Sequence, residues 1–215
     1  MKQSIIDFQR RSRLGVIEAR WGEHKTIEQI SEILKKYQLE SETALVTRLS
    51  KEKGEKLLVQ FPSAEFHEIS GCLTMGDFVE CSSSDEEVII LTGGTSDLKV
   101  ASEAELALKL HGIKTKLIID VGVAGLHRLL DRIDDIKLAK VVIACAGMEG
   151  ALPTVLAGLI PRPIIGLPVS VGYGVSGGGR TAMEGMLASC APGLLVVNID
   201  NGYGAGMAAI RILNG

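Results

Sequence analysis

A cysteine, a glutamate and a string of small polar residues are where this sequence could do chemistry. Cys190 lies in Ala188-Ser189-Cys190-Ala191-Pro192-Gly193, just after a helical stretch. A thiolate is a strong nucleophile, but the negative end of a helix dipole disfavours it, so a reactive role for Cys190 requires a cationic partner. Glu149 is flanked by glycines in Ala146-Gly147-Met148-Glu149-Gly150, at the end of an apolar run. A carboxylate in that setting suits a base or a contact to a polar ligand. Gly93-Gly94-Thr95-Ser96-Asp97 follows Val88-Ile89-Ile90-Leu91 and precedes a helical pattern. Its backbone N–H groups could hold an anion, while Ser96 and Asp97 are equally good helix caps. Asp120 and His127 offer an acid–base pair, His127 reading equally as a hydrogen-bonded structural residue. Asp200 reads as a cap for the last helix or a contact to a ribose. Cys145 falls within a strand and is expected in the core, and Cys72 and Cys81 lie outside the glycine-rich edge.

The elements that must position these groups divide the chain in two. Twenty of the 25 glycines lie after residue 87. Cys81-Ser82-Ser83-Ser84-Asp85-Glu86-Glu87 has a linker's composition, giving an N-terminal α+β domain over 1–84 and a second domain over 85–215. In the second domain, apolar strands at Val88–Leu91, Thr115–Ile119, Lys140–Ala144, Pro163–Leu167 and Leu194–Ile199 alternate with helical stretches at Ser102–Leu110, Leu126–Ile133, Ala151–Leu159, Thr181–Ser189 and Gly206–Leu213. Continuous apolar strands between helices imply an α/β fold, a doubly wound parallel sheet covered on both faces. Ligands bind such sheets outside the carboxyl ends of the strands. The segments there are Gly93–Asp97, Asp120–Gly125, Ala146–Gly150, Pro168–Gly179 and Asn198–Gly206. In the first domain, Ile5–Arg13 and Thr26–Tyr37 are predicted helices, and Ala44–Thr47, Leu57–Gln60 and Glu65–Ile69 predicted strands. Arg10, Arg11, Arg13, Arg20 and Lys25 form a basic cluster, a solvated face or an anion site.

Composition narrows the function classes. With 46% hydrophobic but only 4% aromatic residues, the core is built from aliphatic side chains, and a net charge of −3 gives no global field to recruit nucleic acid or anionic membrane. No apolar run reaches the roughly 20 residues of a membrane helix, and the N-terminus lacks a secretory apolar segment, so a cytoplasmic protein is expected. The four cysteines form no CxxC pair, which argues against a zinc site or a disulfide scaffold. The glycine-rich edge matches neither the dinucleotide fingerprint nor a Walker A loop.

Gly94-Thr95-Ser96-Asp97, Asp120-Val121-Gly122-Val123-Ala124-Gly125, Ala146 through Pro153, Ser170-Val171-Gly172-Tyr173-Gly174, Ser189-Cys190-Ala191 and Asn198-Ile199-Asp200-Asn201-Gly202 together resemble the LarB family of nickel-pincer nucleotide cofactor biosynthesis. Asp7, Arg10, Arg13, Gly15, Glu18, Gly22, Lys25 and Thr26 resemble that family's opening motif, so the likeness spans nearly the whole chain. The second half is also similar to PurE, the carboxylase/mutase of purine synthesis, with a flavodoxin/Rossmann-type fold. Where PurE carries a catalytic histidine before Leu-Pro, this chain has Ala151-Leu152-Pro153. It departs from LarB in Gly93 for alanine, in Lys99 for proline, and in a more glycine-rich and basic segment from Val175 to Arg180.

The LarB resemblance implies an enzyme that takes nicotinic acid adenine dinucleotide (NaAD) and CO2, carboxylates pyridinium C5 and releases AMP, giving pyridinium-3,5-biscarboxylic acid mononucleotide. It assigns Cys190 as nucleophile at C4 and Glu149 as the base for the C5 proton. Gly94, Thr95, Ser96, Asp97, Asp120, Gly147, Met148, Ser170, Gly172, Tyr173, Asp200 and Asn201 become substrate contacts. It implies no tightly bound cofactor, with Mg2+ assisting anhydride cleavage and no metal ligands specified. It also implies a homo-oligomer, an octamer, with sites completed across subunits. The alternatives are a PurE-like aminoimidazole ribonucleotide carboxylase/mutase and a non-catalytic dinucleotide-binding assembly protein.

Overall fold

The computed structural model describes residues 5–81 and 86–215, in two compact units, Met1–Val79 and Glu80–Gly215. The boundary expected between residues 84 and 85 falls outside the described residues.

The first unit opens with α1 (Arg10–Leu14), which Gly15 ends in a left-handed conformation, φ 71°. β1 (Ala19–Trp21) leads to α2 (Ile27–Leu39), which starts at a reciprocal cap: Thr26 Oγ1 accepts from Gln29 N–H at 3.3 Å, and Gln29 Oε1 accepts from Thr26 N–H at 3.0 Å. β2 (Ala44–Thr47) follows, parallel to β1. Then come α3 (Lys51–Gln60), β3 (Ala64–His67) and β4 (Cys72–Met75), in a mixed sheet of order β1-β2-β4-β3. Ile30, Ile33, Leu34 and Tyr37 of α2 pack on Val46, Leu57, Phe61 and Leu73. The strand expected at Leu57–Gln60 is instead the end of α3. The Ser50 hydroxyl caps that helix by accepting from Lys53 N–H, and the turn buries Leu57 while leaving Val59 83% exposed. The chain's one tryptophan, Trp21, ends β1, half exposed, with the Arg48 guanidinium over its ring.

The second unit runs β5 (Val88–Thr92), α4 (Leu98–Lys109), β6 (Thr115–Ile118), α5 (Leu126–Leu130), α6 (Ile133–Ile136), β7 (Val141–Ala146), α7 (Ala151–Ala157), β8 (Ile164–Pro168), α8 (Arg180–Leu187), β9 (Leu194–Val196) and α9 (Gly202–Leu213). All five strands are parallel, in the order β6-β5-β7-β8-β9. This is the doubly wound sheet expected from the sequence. Every residue of β5, β7 and β8 is buried, as a sheet sandwiched between helical layers requires. Ile89, Leu91, Val142 and Ala144 face α5 to α8 through Leu129, Ile136, Leu152, Leu156 and Met186. Their alternates lie towards α4 and α9, which pack closely. Gly202 is required there, because a Cβ on it would meet the Val100 carbonyl at 2.4 Å.

Candidate active site

The strand order reverses direction between β5 and β7, and the switch opens a crevice at their carboxyl ends. A cavity of about 290 Å3 occupies it. Its walls are Gly93, Gly94, Ser96 and Asp97 after β5; Gly122, Val123 and Ala124 after β6; Ala146, Gly147, Met148, Glu149, Ala151 and Leu152 after β7; and Val171 after β8. Of the residues singled out from the sequence, it brings together Gly94, Ser96, Asp97, Gly147, Met148 and Glu149.

Small residues are required at this edge because the loops nearly touch. A Cβ on Gly147 would lie 2.1 Å from the Val171 carbonyl. Strain concentrates here too. Asp120, Met148 and Asp200, at the ends of β6, β7 and β9, all hold left-handed backbones, with φ of 61°, 49° and 54°. Met148 and Gly150 thus bracket Glu149 in a tight turn that presents its side chain exposed at the cavity.

Asp97 is the buried carboxylate of the site, 4% exposed, with Oδ2 accepting from Gly94 N–H at 2.9 Å. Burial pushes its carboxyl above the usual range and the Asp200 carboxylate adds to the rise, while the Gly94 and Gly93 N–H groups oppose it. The cap expected of Asp97 therefore turns backwards: it closes the Gly94–Asp97 turn and makes no side-chain bond into α4. Ser96 and Thr95 stay exposed. Behind the site Cys145 is buried in β7, as expected, and burial pushes its thiol up, out of reach of thiolate chemistry.

The remaining expected contacts lie around the cavity rather than on its wall. Asp120 donates its N–H to Thr92 Oγ1, and its carboxylate pairs with Arg128 rather than with His127. His127 is exposed on α5. Sequence reasoning missed Arg128, for which the one signal is a cation eight residues beyond Asp120. Asp200 accepts from Ser170 N–H at 2.8 Å and donates its own N–H to the Pro168 carbonyl, tying the end of β8 to the end of β9. Asn201 Oδ1 accepts from Gly204 N–H at 2.9 Å, capping α9, so the capping role falls one residue after Asp200. Gly172 turns so tightly that a Cβ would meet the Ser176 carbonyl at 2.4 Å, and Tyr173 beside it is 78% exposed.

Cys190 stands apart from these groups within one chain. α8 leaves the carboxyl edge and descends along the sheet, and Cys190 follows its end, exposed, on the loop into the start of β9. α7 intervenes. Leu152 faces the cavity, whereas Thr154, nearly opposite it on the helix, donates to Ser189 Oγ at 2.9 Å.

In the first unit the basic cluster is an ion-pair network. Asp7 binds Arg10 and Arg13, and Glu18 binds Arg10 and Arg20. Arg13 above all holds the Asp7 carboxyl below its usual range. Lys25 Nζ donates to the Trp21 carbonyl at 2.7 Å, and Lys53 Nζ to the carbonyls of Gly22, Glu23 and Lys25. Among the described residues no group of three or more His, Cys, Asp or Glu side chains is placed to hold a metal, and no helix is long and apolar enough to cross a membrane.

A flavodoxin-like sheet with a small-residue cavity and a presented carboxylate at its switch point defines the class of domain. Residues 87–215 match AIR carboxylase and residues 1–77 match the LarB/PurE-like N-terminal domain. The chain belongs to the AIR carboxylase family, which comprises carboxylases and mutases, and carries the LarB/PurE-like domain in front. An uncharacterised protein of Methanocaldococcus jannaschii is 34% identical over 95% of this chain and 81% of its own length. The N5-carboxyaminoimidazole ribonucleotide mutase of the same organism is 34% identical over 59% of this chain and 78% of its own. The crystal structure of Treponema denticola PurE is similar in fold, with a TM-score of 0.50 and 20% identity over 59% of this chain and 79% of that one.

Proposed function

We propose that this protein carboxylates the pyridinium ring of NaAD and hydrolyses its phosphoanhydride. The observation that carries the reading is the lip of the cavity. Glu149 is presented there between two left-handed residues, and Ala151, a methyl, lines the wall where the purine carboxylases need an imidazole. With no proton carrier at 151, aminoimidazole chemistry lacks its acid–base group, despite the likeness to the mutase. The cavity, at the small end of ligand pockets, suits one nucleotide half of the substrate.

A pyridinium ring is electron-poor and does not attack CO2. Addition of the Cys190 thiolate at C4 makes it a dihydropyridine whose C5 is an enamine carbon. C5 then bonds to CO2. Glu149 takes the C5 proton, the C–S pair leaves with sulfur, and the ring regains aromaticity. The cationic ring is the partner that the thiolate lacks beside a helix C-terminus. Water cleaves the anhydride to release AMP. Mg2+ for that step has no ready cage among the described residues, and no step here depends on it. Because Cys190 does not line the cavity of its own chain, the reading calls for a homo-oligomer in which a second copy supplies the thiol.

Mass spectrometry of NaAD incubated with labelled bicarbonate tests the activity. Labelled carboxyl mass on the mononucleotide together with free AMP is expected, and Cys190→Ala abolishes the mass gain. NaAD that binds but returns unchanged would support a non-catalytic assembly protein instead, and turnover of aminoimidazole ribonucleotide would restore the purine reading.

A further inference from the structure

Two hydroxyl groups meet at the loop that carries Cys190, and the chemistry above uses neither. Ser189, half-buried, accepts from Ala191 N–H at 3.1 Å through its Oγ, so its side chain closes a turn over the exposed Cys190. Thr154 Oγ1, half-buried on α7, donates to the same oxygen at 2.9 Å. A hydroxyl has two acceptor positions, and Ser189 fills both with donors from its own chain. Its backbone is held as well, the N–H donating to the Met186 carbonyl at 3.3 Å at the end of α8. The helices concerned are packed tightly together. α7 starts from the turn that presents Glu149, and α8 lies close against that turn. A Cβ on Gly185 would meet the Glu149 carbonyl at 2.4 Å, and one on Gly150 the Ala182 carbonyl at 2.6 Å. Further along the pair, the Thr154–Ser189 bond ties down the cysteine loop itself.

We propose that Ser189 and Thr154 are positioning residues for the Cys190 thiol. The proposal rests on the reading of Cys190 as nucleophile and adds what holds it in place. A cysteine on a loose loop sweeps many positions, whereas bond formation needs the sulfur about 3–3.5 Å from the carbon it attacks, with orbitals aligned. Here the backbone is pinned on both sides of Cys190, at Ser189 by Met186 and at Ala191 by the Ser189 hydroxyl. Thr154 fastens that pin to α7. One helix thus follows the carboxylate turn and grips the thiol loop, so Glu149 and Cys190 of a chain are carried on one packed frame. Thr154 and Ser189 do not line the cavity, and both act through the cysteine rather than on the substrate.

Thr154→Val keeps a branched side chain and removes its hydroxyl. It is expected to speed hydrogen exchange of the Ala191 amide about ten-fold or more, read by mass spectrometry over a peptide spanning residues 188–193. It is also expected to lower kcat for NaAD carboxylation by about 10- to 100-fold at unchanged KM. Thr154→Ser, which restores the hydroxyl, is expected to return both readouts towards native. Ser189→Ala breaks both bonds and is expected to fall at least as far, and adding Thr154→Val to it to cost nothing more. Unchanged exchange in Thr154→Val and Ser189→Ala, faster exchange with native kcat, or a loss that Thr154→Ser fails to recover overturns the proposal. The exchange readout needs no turnover. Native protein that leaves NaAD unchanged, or Cys190→Ala that retains turnover, removes the nucleophile reading and the positioning role with it, while exchange still scores the anchor.

Discussion

Equal amounts of Cys190→Ala and Glu149→Gln chains, dissociated together and reassembled, are expected to regain carboxylation that neither has alone. The magnitude follows from where the two groups lie. Leu152 faces the cavity and Thr154 binds Ser189 on the far side of α7. Glu149 lines the cavity, and Cys190, next to Ser189, does not. On the proposed reading, each working site therefore draws Glu149 from one chain and Cys190 from another. In a randomly mixed assembly, about a quarter of the sites then pair an intact Glu149 with an intact Cys190. The assay is label incorporation from bicarbonate into the NaAD product, set against native protein taken through the same reassembly. Recovery near a quarter supports shared sites. Zero recovery from a mixture shown by mass to have exchanged chains would refute the argument, because it would mean both groups act within one chain.

Three further outcomes follow from the packing and the buried charge. Gly147→Ala drives a methyl into the Val171 carbonyl and is expected to destabilise the second unit by about 1–3 kcal/mol in denaturant melts, with loss of turnover. Leu73→Ala opens a fully buried site in the first unit and is expected to cost about 2–5 kcal/mol, seen as a lower denaturant midpoint. Asp97→Asn keeps an acceptor for Gly94 N–H but removes a titration. Because the folded-state carboxyl is raised, the native protein prefers Asp97 protonated, and this stabilisation is full below the unfolded carboxyl range and fades as pH rises through the raised value. The variant is therefore expected to match native thermal stability in acid and exceed it at neutral pH, and a constant offset between the two melting curves would contradict the assigned cause.

Much of the fold was legible because its parallel strands are buried on both sides. The strands read at Val88–Leu91, Lys140–Ala144 and Pro163–Leu167 fall on the buried strands Val88–Thr92, Val141–Ala146 and Ile164–Pro168 for that reason. Ala44–Thr47 was legible on the same ground. Short apolar runs were not: Leu57-Leu58-Val59 reads as strand, and the Ser50 cap seven residues earlier makes it helix. β4 was missed because Cys72-Leu73-Thr74-Met75 carries little strand preference and is defined by its neighbours. α9 begins four residues before the expected Gly206, since Gly202 and Gly204 disguise a first turn pressed against α4. The site was legible as a cluster of small residues and a carboxylate at one edge. That Asp120 belongs to Arg128, and that Cys190 lies off the cavity wall, depends on how helices wrap the sheet, which residue spacing does not encode.

The place of Trp21 has a bearing on any optical study of folding. It is the chain's only indole and it belongs to the first unit, half exposed beside Arg48. Its emission reports directly on the first unit. The sheet of β5 to β9 has no tryptophan of its own, so its unfolding has to be followed by another probe.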